Sequence, residues 1–211
     1  MTLLKIIAYI SFFFFLLSCK DQSEKYRLPP LSLKLNSDAM DYVRYIESED
    51  SCRKAIRLLD SATKIDTGYF LAYYNKVMFH CSLGEFKKAI IAIDNAIRIQ
   101  PGAHDLYLMS GLLYRKTEDT ATAHQLFLKS LSICNETLDT MHFTNSDYQM
   151  LAGNRILLLI MLNDREKANY FLRSLKKSNV DTMTYRQLLA LTTENRDTII
   201  AKIFDRQNYR R

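Results

Sequence analysis

The sequence predicts an all-α protein with an internal repeat, and three observations carry that expectation. Glycine and proline are scarce, 5 and 3 in 211 residues, too few for the turns of an all-β fold or for a Gly-rich phosphate loop. Hydrophobic residues make up 48% of the chain and aromatics 11%, ample for a core. Past its N-terminal stretch the chain also repeats at an interval of 34. Ala55, Ala89 and Ala123 keep that interval, as do Leu59, Ile93 and Phe127, then Ala62, Ala96 and Ser130, and Tyr73 and Tyr107. The same interval with 11 residues added gives a further copy, Ala168, Leu172 and Leu175. In each copy a large apolar residue follows the small one four later, and a small or apolar residue follows three after that. This spacing lies on one helical face.

The N-terminus reads differently. Lys5 precedes an apolar run, Ile6 to Leu17, and small Ser18 precedes Cys19. That order is the layout of a secretory signal, and the run is shorter than the roughly 20 apolar residues a helix needs to cross a bilayer. Leu16-Leu17-Ser18-Cys19 resembles the lipobox of bacterial lipoproteins. The resemblance implies removal of residues 1–18 as a signal peptide and lipid attachment, palmitate included, at Cys19. Lys20 stands where an aspartate would favour inner-membrane retention, so an outer-membrane lipoprotein is expected, on the periplasmic face or at the cell surface. Residues 19–36 read as a polar tether, with Pro29-Pro30 opposing helix.

Helices are then expected at Asp38–Ser48, Ser51–Ile65, Tyr69–Leu83, Glu85–Ile99, His104–Thr117 and Thr120–Cys134. An insertion around Glu136–Ser146 follows, then helices at Asp147–Leu162 and Asp164–Lys177. A last pair, near Thr182–Thr193 and Asp197–Gln207, reads as a capping hairpin, because a terminal repeat must hide its apolar side. Ala72 to Pro101 resembles the tetratricopeptide repeat: Tyr73 holds the aromatic place, Gly84-Glu85-Phe86 the turn, and Ala89, Ile93, Ala96 and Pro101 the second helix. Tyr107, Gly111, Tyr114, Ala123, Phe127 and Ser130 form the next copy. Lys76-Val77 departs from the usual Leu-Gly, and His80 replaces an aromatic. The resemblance implies a tetratricopeptide-like α-solenoid of about four helix hairpins over 37–177, plus capping helices over 178–211.

Little in the sequence points to chemistry. His80, His104, His124 and His142 form no metal-ligand pair, and no CxxC joins Cys52, Cys81 and Cys134; no metal site, cofactor or catalytic residue is expected. His80 is expected to take a packing place, the other histidines surface places. Asp-Thr and Asp-Ser pairs, among them Asp119 and Asp197, read as helix caps. The formal charge of +6 is spread, without a run of five like charges. Lys176-Lys177 and the tail from Arg206 are the densest pieces, so nucleic acid is not an expected partner.

The resemblance places one helix face per hairpin in a partner-binding groove. By residue-for-residue carry-over the groove takes Tyr74, Asn75 and Met78, then Leu108, Met109, Leu112, Arg115 and Lys116; Met150, Leu157, Ile160 and Met161 follow. Leu157 to Leu162 reads as covered on both sides. An apolar, Met-rich lining with a basic edge suits a peptide or helix from an envelope protein. The expected role is a membrane-anchored interaction scaffold; the alternative is a glycan- or peptidoglycan-binding lipoprotein. Cys52 and Cys81 stand at helix ends that should lie side by side, so they are read either as a disulfide or as two buried free thiols.

Overall fold

The computed structural model describes residues 28–141, 146–175 and 182–205. Cys19 and the signal sequence lie outside the described residues, as do His142, Lys176, Lys177 and the tail from Arg206. Every element among the described residues is helical: α1 (Pro30–Met40), a 3-10 helix (Asp41–Tyr45), α2 (Glu49–Ile65), α3 (Phe70–Ser82), α4 (Phe86–Ile99), α5 (His104–Lys116), α6 (Thr120–Thr140), α7 (Ser146–Met161), α8 (Arg165–Leu175), α9 (Thr182–Thr193) and α10 (Arg196–Phe204). Two compact units divide the described residues, one running to Pro101 and taking in Phe204 and Asp205 as well, the other spanning Gly102–Ile203. No described helix is long and apolar enough to cross a membrane.

The elements follow the expected bounds except that the helix expected at Asp38–Ser48 is the end of α1 followed by the 3-10 helix Asp41–Tyr45, and two further corrections apply. The tether is shorter than expected, because residues 30–36 are helical. Pro30 occupies the first turn of α1, where its missing N–H is one the helix would leave unbonded anyway. Pro29 caps it in extended backbone. The Pro-Pro pair therefore starts a helix. α1 buries Ser32 and Ala39, and Ala39 joins Ile46, Cys52, Ala55, Leu59 and Ala62 of the following elements in one core. The second correction is α6, which continues through Thr140 instead of ending at Cys134. Leu138 follows Cys134 by four and is buried like it, so the apolar stripe of the helix goes on where an insertion was expected.

The repeat interval is visible in the backbone. Gly84, Glu118 and Asn163 have φ of 72°, 69° and 65°, and they stand 34 and 45 residues apart, the two intervals of the sequence. Each closes a helix with the same bond pair. Gly84 N donates to Cys81 O and Glu85 N to His80 O; Glu118 N donates to Arg115 O and Asp119 N to Tyr114 O; Asn163 N donates to Ile160 O and Asp164 N to Leu159 O. This left-handed cap satisfies carbonyls that a helix C-terminus leaves open. Glycine takes the conformation freely, whereas Glu118 adopts it against its own Cβ.

Within the second unit α5 and α6 approach closely. A Cβ on Gly111 would stand 2.5 Å from Phe127 Cε1, so the glycine is what admits the ring. The same register positions hold Val77 and Ile93 in α3 and α4, and Ile156 and Leu172 in α7 and α8, all buried. The Lys76 departure has a physical account as well: its Nζ reaches Asp60 Oδ1 at 3.1 Å and Thr63 Oγ1 at 3.4 Å, and it lies over the Tyr73 ring, 4.7 Å from the centroid. A cation thus ties α3 to α2.

Two expectations follow. Gly111→Ala destabilises the chain by about 1–3 kcal/mol through overpacking, and Phe127→Ile in the same chain restores much of the loss, read by urea unfolding; additive losses would contradict the pairing. Glu118→Gly raises stability by about 0.5–1 kcal/mol, read as a higher thermal midpoint.

Candidate functional site

The candidate face is described unit by unit. In the unit ending at Pro101, Tyr74 and Asn75 are buried and Met78 is half-buried. The Tyr74 ring lies against Phe70, centroids 5.9 Å apart. Asn75 Nδ2 donates to Asn36 Oδ1 on α1 at 2.8 Å, so this side chain braces two helices. Of the three positions, Met78 is the one still partly open to solvent.

Below this face, at the α3–α4 turn, Glu85 gathers three cations or donors. His80 Nδ1 lies 2.9 Å from its Oε2, Lys88 Nζ 3.0 Å and Arg53 Nη1 3.3 Å from its Oε1. Burial alone would raise the Glu85 carboxyl, but the bonds from His80 and Lys88 outweigh it and hold the group at about 2. His80 is buried, as its packing place demands, and burial lowers its pKa despite Glu85. It is therefore a neutral donor at neutral pH.

No Cys52–Cys81 disulfide is formed in the structure; both side chains are buried thiols. The helix ends do meet, but through another side chain. Ile46 O accepts from Cys52 Sγ at 3.0 Å and from Ser82 Oγ at 2.7 Å. Ser82 takes the place next to Cys52, and Cys81, one residue earlier, is turned about 100° around the helix. Burial pushes the Cys81 thiol up to about 12, which makes it inert.

In the Gly102–Ile203 unit, Leu108 and Leu112 are buried, Met109 and Arg115 half-buried and Lys116 exposed. Leu157, Ile160 and Met161 of α7 are buried, as expected, and Met150 is half-buried. Arg115 Nη2 pairs with Asp197 Oδ1 of α10 at 2.7 Å. Asp197 is thus no helix cap: Asn195 Oδ1 accepts from its N–H at 2.8 Å. Asp119 does cap, accepting from Thr122 N at 3.0 Å. A cavity of about 310 Å³ is lined by Arg115, Lys116, Glu118, Asp197, Ile200 and Ala201.

The start of α5 holds a polar cluster that the sequence did not announce. His104, expected on the surface, is half-buried; burial lowers it to about 4, and Asn154 Nδ2 donates to its Nε2 at 3.1 Å. Ser130 Oγ donates to His104 O at 2.6 Å. Beside it Asp105 is buried, its Oδ2 meets no donor among the described residues, and burial pushes its carboxyl from an ordinary 3.8 up to about 7. The one sequence signal was the acid standing 34 residues after Leu71. No group of three His, Cys, Asp or Glu among the described residues is placed to hold a metal ion.

Residues 71–102 match the tetratricopeptide repeat. The fold is of the tetratricopeptide type. Among solved structures, PilW, a widely conserved type IV pilus biogenesis factor, aligns over 85% of this chain and 79% of its own at 18% identity and a TM-score of 0.53. MamA aligns over 76% and 81% at 19% identity and 0.48, and YrrB, a tetratricopeptide protein with an unusual peptide-binding site, over 87% and 97% at 16% identity and 0.46. No curated protein matches the sequence. The tetratricopeptide hairpins account for the repeated turn, the small residues of the second helices and the register of the candidate face.

Asp105 supplies a signed pH dependence. Between pH 4 and 7 the unfolded chain loses this proton while the folded chain keeps it, so stability falls as pH rises through that window. Asp105→Asn is therefore more stable than the parent by about 1–3 kcal/mol at pH 8 and no more stable at pH 3.5, as measured by urea unfolding at both pH values. An equal gain at both would contradict the burial account.

Proposed function

We propose that the chain is a membrane-anchored interaction scaffold of the bacterial envelope that holds a protein or peptide partner against the first-helix faces of its hairpins. The observation that carries the reading is the repeat fold itself. Stacked hairpins present a face composed of side chains from successive repeats, a surface suited to extended partners. The signal-like start and Leu16-Leu17-Ser18-Cys19 support an anchor of acyl chains at Cys19, on the outer membrane by the argument from Lys20. Such an anchor raises the local concentration of scaffold and partner in the same plane. The glycan reading called for exposed aromatics in the groove, where Tyr74 and Tyr107 stand; Tyr74 is buried and Tyr107 half-buried, which does not favour it.

Two variants test the two halves. Cys19→Ser abolishes palmitate incorporation and moves the chain from the membrane fraction to the soluble one; a chain that stays in the membrane would contradict the anchor. Lys116→Glu, at an exposed position, keeps the circular dichroism of the parent and loses most of the envelope protein captured by crosslinking. Undiminished capture would contradict the assigned face.

A further inference from the structure

In a plain stack of hairpins each unit touches only its neighbours. The C-terminal hairpin departs from that pattern inside the Gly102–Ile203 unit. Asp197 belongs to the fifth hairpin, yet its carboxylate pairs with Arg115 of the third at 2.7 Å. Ile200 and Ala201 line the cavity together with Arg115 and Lys116, and Arg196 Nη1 donates to Met161 O, the last residue of α7, at 3.2 Å. On α9, Leu188 Cδ2 lies 3.5 Å from where a Cβ on Gly153 would stand. Gly153 holds the register position of Tyr74 and Leu108, two residues of the candidate face. The hairpin rests on α8 and α7, and through Asp197 its last helix also reaches past them to Arg115 on α5.

We propose that α10 is an internal stand-in for the partner, and that the helix belonging on this face is amphipathic, with an acidic side chain one turn ahead of a branched aliphatic one. This deepens the interaction reading above and rests on it. The chemistry is read from α10: Asp197 meets Arg115, and Ile200 stands one turn further along beside the cavity. Lys116 adds a second positive charge at the rim, against the single opposing Glu118. The polar hold on α10 is light, while its Ile199, Ile200 and Phe204 are buried. The helix has 9 residues, too few to persist without packing. Its ion pair is largely solvated, with side-chain exposures of 28% and 73%, and such pairs contribute little. The cavity beside it leaves room for a bulkier aliphatic or aromatic side chain from a competing helix.

The test uses the full chain, its Asp197→Lys variant, the milder Asp197→Asn, and a fluorescein-labelled peptide of residues 195–205 as probe. In either variant the α10 amides exchange about fivefold faster, and the probe binds about fivefold more tightly than to the parent. Adding Arg115→Glu to Asp197→Lys remakes the pair with its charges exchanged and cancels the gain. Probe binding that is the same in the parent and both variants overturns the stand-in and makes α10 a fixed part of the fold. Envelope partners captured alike by the parent and Asp197→Lys, with no change in probe binding, leave the scaffold reading standing while the stand-in fails. Probe binding that rises as described with no captured partner does the reverse.

Discussion

The constraint on which the rest depends is the close approach of the two helices within a hairpin, met at a fixed place in every repeat. Ala55, Ala89, Ala123 and Ala168 are all buried and give the backbones room to approach. The neighbouring register positions then trade volume: Val77 with Ile93, Gly111 with Phe127, Ile156 with Leu172. A ring enters where a side chain has been deleted opposite it, so packing density is kept while the sequence varies. This is why the interval of 34 survives in a chain whose repeats otherwise share few residues.

Once that approach is fixed, the turns have little freedom. Each first helix must reverse within a few residues, and the same left-handed cap recurs at Gly84, Glu118 and Asn163, with glycine present at one of the three. The polar departures fall where the packing leaves a place for them. Lys76 crosses from α3 to Asp60 on α2, Asn75 meets Asn36, and Glu85 collects His80, Lys88 and Arg53. Asp105 differs from these, a buried carboxyl whose Oδ2 meets no donor among the described residues. Its site is more costly when ionised, which couples this end of α5 to pH.

Most of the fold was legible in the sequence because spacing sets which residues share a helical face. The alanine and large apolar series named the buried stripes of α2, α4, α6 and α8 before any coordinate was known. What spacing does not convey is direction at single-residue precision. Cys81 was expected beside Cys52, and the helix ends do meet, but one position of rotation gives the contact to Ser82. Nor does it convey termination by context. Pro29-Pro30 reads as a break or as a start depending on what the following turns can bury, and Ser32 and Ala39 decided for a start. The candidate face was legible as a register and not as a surface. Leu108 and Leu112 hold the assigned positions, yet they are buried, and a contact of high sequence separation such as Arg115 with Asp197 leaves no periodic trace.

The C-terminal hairpin packs on α7 as well as on α8, which sets it over the register of the candidate face, and one proximity tests that placement. In the full chain, a nuclear Overhauser experiment between the Leu188 methyls and the Gly153 α-protons is predicted to show a strong cross-peak, given the 3.5 Å between Leu188 Cδ2 and the place of a Gly153 Cβ. A well-resolved Leu188 methyl with cross-peaks only within α9 and to α8 would contradict the account.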